Sequence, residues 1–77
     1  MSTKKDFEAV QSHRKGTFAY RVLKGYMEAN GFVEKRIGGS HHIWESPNGI
    51  VFSIPVHGSE VKSCYVKNVR NWVEQNL

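Results

Sequence analysis

Apolar and polar residues alternate along this chain with two different periods, and the change of period marks out its elements. From residue 17 to residue 31, Ala19, Val22, Leu23, Tyr26 and Met27 recur at helical spacing and form one apolar stripe. Thr17 stands where an N-cap is expected, and Asn30-Gly31 supplies a left-handed stop. Lys24 and Glu28 are spaced to pair on the wet side of that helix.

The period then falls to two. Residues 32–37, FVEKRI, read as a half-buried strand, followed by a tight turn at Gly38-Gly39. Residues 40–46, SHHIWES, form a second strand. Pro47-Asn48-Gly49 is a hairpin turn, with Asn-Gly suited to the positive φ angles of a type I′ turn. Residues 50–56, IVFSIPV, form a third strand with Ile50, Phe52, Ile54 and Val56 on one face. Pro55 cannot donate a ladder bond, which predicts an edge position or a strand end. After a loop at His57-Gly58-Ser59, helical spacing returns at about Ser63. Val66, Val69 and Val73 make the stripe, with Tyr65, Trp72 and Leu77 at its margins.

The predicted order is helix, three antiparallel strands, helix. Each helix has a single apolar stripe, so both must cover the same face of the sheet and leave the other face open. The fold class is α+β in two layers, α-β-β-β-α. Residues 17–77 make up this domain. Residues 1–16, with Lys4, Lys5, Arg14 and Lys15 and few apolar positions, are expected to be a flexible or partly helical basic extension, with Phe7 and Val10 available for a small contact.

Composition narrows the picture. A chain of 77 residues is one domain, and 39% hydrophobic residues are too many for a disordered one. Eleven Lys and Arg against seven Asp and Glu give a net charge of +4, which makes nucleic acid a candidate partner. The single cysteine, Cys64, cannot close an internal disulfide and suits a reducing cytosol; at the start of a helix it reads as a small packing residue. No apolar run resembles a signal peptide or a membrane span, so a cytoplasmic protein without a membrane partner is expected.

The candidate chemistry is concentrated in GGSHHIW, residues 38–44. Adjacent strand residues point to opposite faces, so His41 and His42 should not act as a pair. If Trp44 faces the core, His42 shares its side and is structural, while His41 points outward as the exposed reagent. Histidine titrates near neutral pH, as proton transfer requires. A zinc site from His41, His42, His57 and Cys64 fits no familiar spacing. A Ser40–His41 nucleophile has only Glu45 nearby as an orienting acid. Gly38-Gly39-Ser40 could cradle a phosphate or simply turn the chain. Lys35, Arg36, Lys62, Lys67 and Arg70 could meet phosphates or only water.

The motifs taken in order resemble the HicA family of small toxins of bacterial and phage toxin–antitoxin systems. Gly31-Phe32, Gly39-Ser40-His41, Trp44, Pro47-Asn48-Gly49 and Ile54-Pro55-Val56-His57 stand where that family has a helix-ending Gly-aromatic, Gly-Ser-His, an aromatic, a Pro-Asp/Asn-Gly hairpin and Val-Pro-x-His. The resemblance runs from about Thr17 to the C-terminus. It implies a double-stranded-RNA-binding-like fold and an endoribonuclease that cleaves mRNA without a metal or other cofactor. It also implies neutralisation by a HicB-type antitoxin. The family's catalytic histidine maps onto His41, with Gly39 and Ser40 placing its ring. On this reading Lys35, Arg36, Lys67 and Arg70 hold the RNA backbone, and His57 is the candidate for a second proton-transfer or phosphate group. Two departures from the family pattern are the length of residues 1–16 and SCYVK, residues 63–67, where a Gly-Thr or similar pair is usual. The alternative is a non-catalytic RNA-binding or protein-interaction module on the same fold.

Overall fold

The computed structural model describes residues 4–77; the start of the basic extension, residues 1–3, lies outside them. The elements run α1 (Lys4–Ser12), β1 (Thr17–Ala19), α2 (Tyr20–Ala29), β2 (Val33–Gly38), β3 (His41–Glu45), β4 (Val51–Pro55), β5 (Glu60–Lys62) and α3 (Ser63–Asn76). Within this order, α2-β2-β3-β4-α3 is the α-β-β-β-α arrangement expected. β2, β3 and β4 form an antiparallel sheet in that order. Leu23, Tyr26 and Met27 of α2 and Val66 and Val69 of α3 bury their stripes in one core with Trp44 and Ile54 of the sheet. Among the described residues, no helix is long and apolar enough to cross a membrane.

Helix α2 ends as its residues dictate. Gly31 takes φ +88°, its N–H donates to the Glu28 carbonyl, and the Phe32 N–H donates to the Met27 carbonyl. This pair of bonds is the Schellman closure. A side chain at Gly31 would also press on Pro47, whose Cγ lies 3.0 Å from the position a Cβ would occupy.

The start of α2 differs from the sequence expectation. Thr17 is not an N-cap. It begins β1, whose partner is β5, with Thr17 opposite Lys62 and Phe18 opposite Val61. The helix starts at Tyr20, after Ala19, without a side-chain cap. A three-residue β1 pairs only with a strand more than forty positions away, and local periodicity carries no sign of that. The hairpin is also of another type. The Gly49 N–H donates to the Ser46 carbonyl, and the Ser46 N–H donates to the Ile50 carbonyl. Gly49 has φ +86°, but Asn48 does not have positive φ. Pro47 fixes its own φ near −65°, which rules out a type I′ turn and gives a three-residue loop closed by a left-handed glycine.

Strand β2 is less buried than its pattern suggests. Val33 and Ile37 are both more than half exposed, and the residue turned partly inward is Glu34. A bulge between Glu34 and Arg36 leaves Lys35 without a partner across the ladder. Lys24 forms its ion pair with Glu34, at 3.9 Å, and not with Glu28.

Helix α1 packs on α2 and α3. Val10 is fully buried, the Phe7 ring meets the Tyr26 ring edge-on at 5.0 Å, and Gln11 Nε2 donates to the Tyr26 hydroxyl. Val10 is therefore part of the domain's core, and Phe7 packs against it.

Candidate functional site

Strand β3 separates the two histidines. His42 pairs with Ile54 and lies two residues from Trp44, which is fully buried, so His42 faces the helices. His41, paired with Gly38 and Pro55, lies on the open face and is exposed. Its ring bonds none of the described residues. The turn that delivers it contains Gly39 at φ +60°, and the Ser40 carbonyl accepts the Val56 N–H at 2.7 Å. That bond closes the end of the β3–β4 ladder and brings the chain after β4 alongside Ser40. His57 is exposed at this same end, its N–H and carbonyl exchanged with Glu60 at 2.9 Å each.

The open face carries three cross-strand rows. Gly38, His41 and Pro55 form the first, Arg36, Ile43 and Ser53 the second, and Val33, Glu45 and Val51 the third. Arg36 thus lies one row from His41. Lys35, in the bulge, reaches Glu45 at 3.9 Å. The structure brings together His41, Gly39, Ser40, Arg36 and His57. Lys67 is exposed on α3, in the helical layer and apart from the open face.

Arg70 does not belong to any exposed basic surface. It is 8% exposed, and its Nη1 donates to the carbonyls of Val10 at 3.2 Å and His13 at 2.7 Å. Its charge satisfies the end of α1 and ties α1 to α3. Arg70→Ala is expected to destabilise the fold by about 2–3 kcal/mol, because two carbonyls lose a charged donor. Denaturant titration of the variant beside the parent checks it. Cys64 is exposed instead of packed.

On the buried side, a polar network escaped the sequence reading. The Tyr20 hydroxyl donates to Glu34 Oε2 at 2.6 Å, and His42 Nδ1 donates to the same oxygen at 2.7 Å. Trp44 Nε1 donates to the Tyr20 hydroxyl at 3.2 Å. The Tyr20 and His42 rings are 4.5 Å apart. Burial, and then the Glu34 carboxylate, push the Tyr20 phenol well above its ordinary value of 10, so it stays protonated as the donor. For Glu34, burial alone would raise the carboxyl. The bonds from Tyr20 and His42 and the charge of Lys24 outweigh it, and the net direction is down from 4.5. A carboxyl lowered in the folded state adds stability above its ordinary value, and that stability is lost as pH falls through the lowered folded value. Glu34→Gln is therefore expected to be less stable than the parent at pH 7, and the gap should narrow as pH falls below 4.5. Urea midpoints measured across that range decide the point; a gap that stays constant with pH would remove the carboxylate from the account.

Among the described residues, no three His, Cys, Asp or Glu side chains gather as metal ligands. His41 and His42 diverge, as alternation along a strand requires. Searches of curated proteins and of solved structures found no match to the chain. A family model, described as the HicA toxin of bacterial toxin–antitoxin systems, matches residues 20–75.

Proposed function

From this chain's membership of the HicA toxin family, and hence its place as the toxin of a toxin–antitoxin system, we propose that it is a metal-independent endoribonuclease. In this reading it cleaves mRNA, stops translation and is neutralised by a HicB-type antitoxin. The observation that carries the reading is the exposed imidazole of His41, bonded to none of the described residues, on an open sheet face, one row from Arg36 and at the closed end of the ladder.

RNA provides its own nucleophile. His41 takes the proton of a 2′-hydroxyl, and that oxygen bonds to the adjacent phosphorus. The bond from phosphorus to the 5′ oxygen breaks, and the leaving oxygen takes a proton. His57, at the same end of the sheet, is the candidate donor of that proton. Gly39 and Ser40 set the position of the His41 ring. Lys35 and Arg36 hold phosphates on the open face, and Lys67 offers a further contact from α3. The antitoxin covers His41 and this basic face.

The test is cleavage of a defined mRNA by the purified toxin with and without EDTA. Cleavage that persists in EDTA and stops on adding antitoxin is the expected result. RNA binding without cleavage would make the protein a non-catalytic RNA-binding module. Cleavage abolished by EDTA and restored by a divalent cation would overturn the metal-free mechanism.

A further inference from the structure

The geometry points to the far end of the open sheet face, the row Val33–Glu45–Val51 with Ile43 beside it, as the surface that grips the antitoxin. The inference takes from family membership only that an antitoxin exists, and takes nothing from the catalytic reading of His41.

Val33 is 54% exposed and Val51 is 63% exposed, and the register sets them on either side of Glu45. Ile43 lies in the next row of the same face, half-buried. The other large exposed hydrophobics are placed differently. Ile37 pairs with His42 on the helix side, Ile50 sits at the hairpin, and Leu77 ends the chain. Two β-branched residues flanking Glu45 on a solvent-facing row gain nothing in the isolated toxin, but with Ile43 in the next row they suit the apolar part of a protein interface.

The chemistry of the face favours a protein over RNA at this end. The three rows contain no Phe, Tyr or Trp, and single-stranded RNA binds through rings on which its bases stack. The rim is basic. Lys35 is partly engaged by Glu45, and Arg36 forms no ion pair among the described residues. The matching partner presents aliphatic side chains bordered by carboxylates. It lies on the face that carries the valines and not along the β2 edge, which the bulge at Lys35 interrupts. At about 3.3 Å per residue, Glu45 and His41 are roughly 13 Å apart along β3. A partner anchored on the valine row therefore overlies His41 without drawing its affinity from it. Antitoxin grip and RNA cleavage occupy opposite ends of one face.

The test uses the 77-residue toxin and its purified cognate antitoxin, titrated calorimetrically. The paired substitution Val33→Ser with Val51→Ser is expected to weaken binding ~30-fold, as loss of two apolar anchors should. Val33→Glu with Val51→Glu should weaken it further than Val33→Lys with Val51→Lys, since the partner's border is acidic. The serine pair should cleave RNA at the parent rate when alone, and all three double variants should escape inhibition by the antitoxin. Circular dichroism confirms folding, and the serine pair is the mildest change of the three. Binding by the serine and glutamate pairs within threefold of the parent would overturn the inference. So would lost RNA cleavage with antitoxin binding intact, which assigns the face to RNA, or a parent dimer that the substitutions dissociate. If no chain cleaves RNA, the catalytic reading falls while the binding comparison still decides this one.

Discussion

His41→Ala is expected to lower the rate of RNA cleavage by at least about 100-fold, the usual scale for losing a proton-transfer group. It should leave stability within about 0.5 kcal/mol of the parent, because the side chain is exposed and bonds none of the described residues. The neighbouring substitution provides the contrast. His42→Ala removes a 2.7 Å bond to Glu34 and a ring packed on Tyr20, so its cost falls on stability, and activity per folded molecule should survive. Single-turnover cleavage and denaturant titration on both variants separate the two roles. Cleavage by His41→Ala at the parent rate would rule out the mechanism, and the opposite pattern in the two variants would interchange the histidines.

The largest expected stability effect lies at Trp44. Its indole is fully buried between sheet and helices, and its N–H donates to Tyr20, which in turn donates to Glu34. Trp44→Ala leaves a cavity as well as an uncovered core, a change that costs about 3–5 kcal/mol. Small domains have little more than that in total, so Trp44→Ala should be largely unfolded at 37 °C. Trp44→Phe keeps most of the ring and loses the N–H. About 1 kcal/mol for that bond, together with a small packing loss, should leave it folded with a lowered urea midpoint. If Trp44→Ala unfolds within 1 kcal/mol of the parent, this packing cannot be what holds the domain together.

Both effects were partly legible in the order of residues. Alternation along residues 41–44 is a local rule, so once Trp44 faced inward, His42 had to follow and His41 had to face out. The stop at Asn30-Gly31 was equally local, because a left-handed residue closes a helix with bonds to its own last turn. The Glu34 network was not legible. Tyr20, Glu34, His42 and Trp44 belong to three different elements, and a charged residue in a strand usually reads as solvent-facing. The bulge at Lys35 and the pairing of β1 with β5 were hidden for the same reason, since each depends on a partner strand. Arg70 shows how far charge can mislead. As one more cation it resembled a phosphate contact, yet its guanidinium bonds carbonyls more than fifty residues away.

The sequence by itself determined the two layers, the helix–strand–strand–strand–helix order and the choice of His41 as the exposed member of the adjacent histidine pair. Each follows from a period of 3.6 or 2, or from a turn residue whose φ is restricted. Only the tertiary structure decided that α1 is part of the core, that Arg70 is a clasp and that Glu34 sits inside beside Tyr20 and His42. It also decided that two valines share a row on the open face. Those facts depend on which distant groups meet when the chain closes, and on the balance there between the cost of burying polar groups and the bonds that repay it.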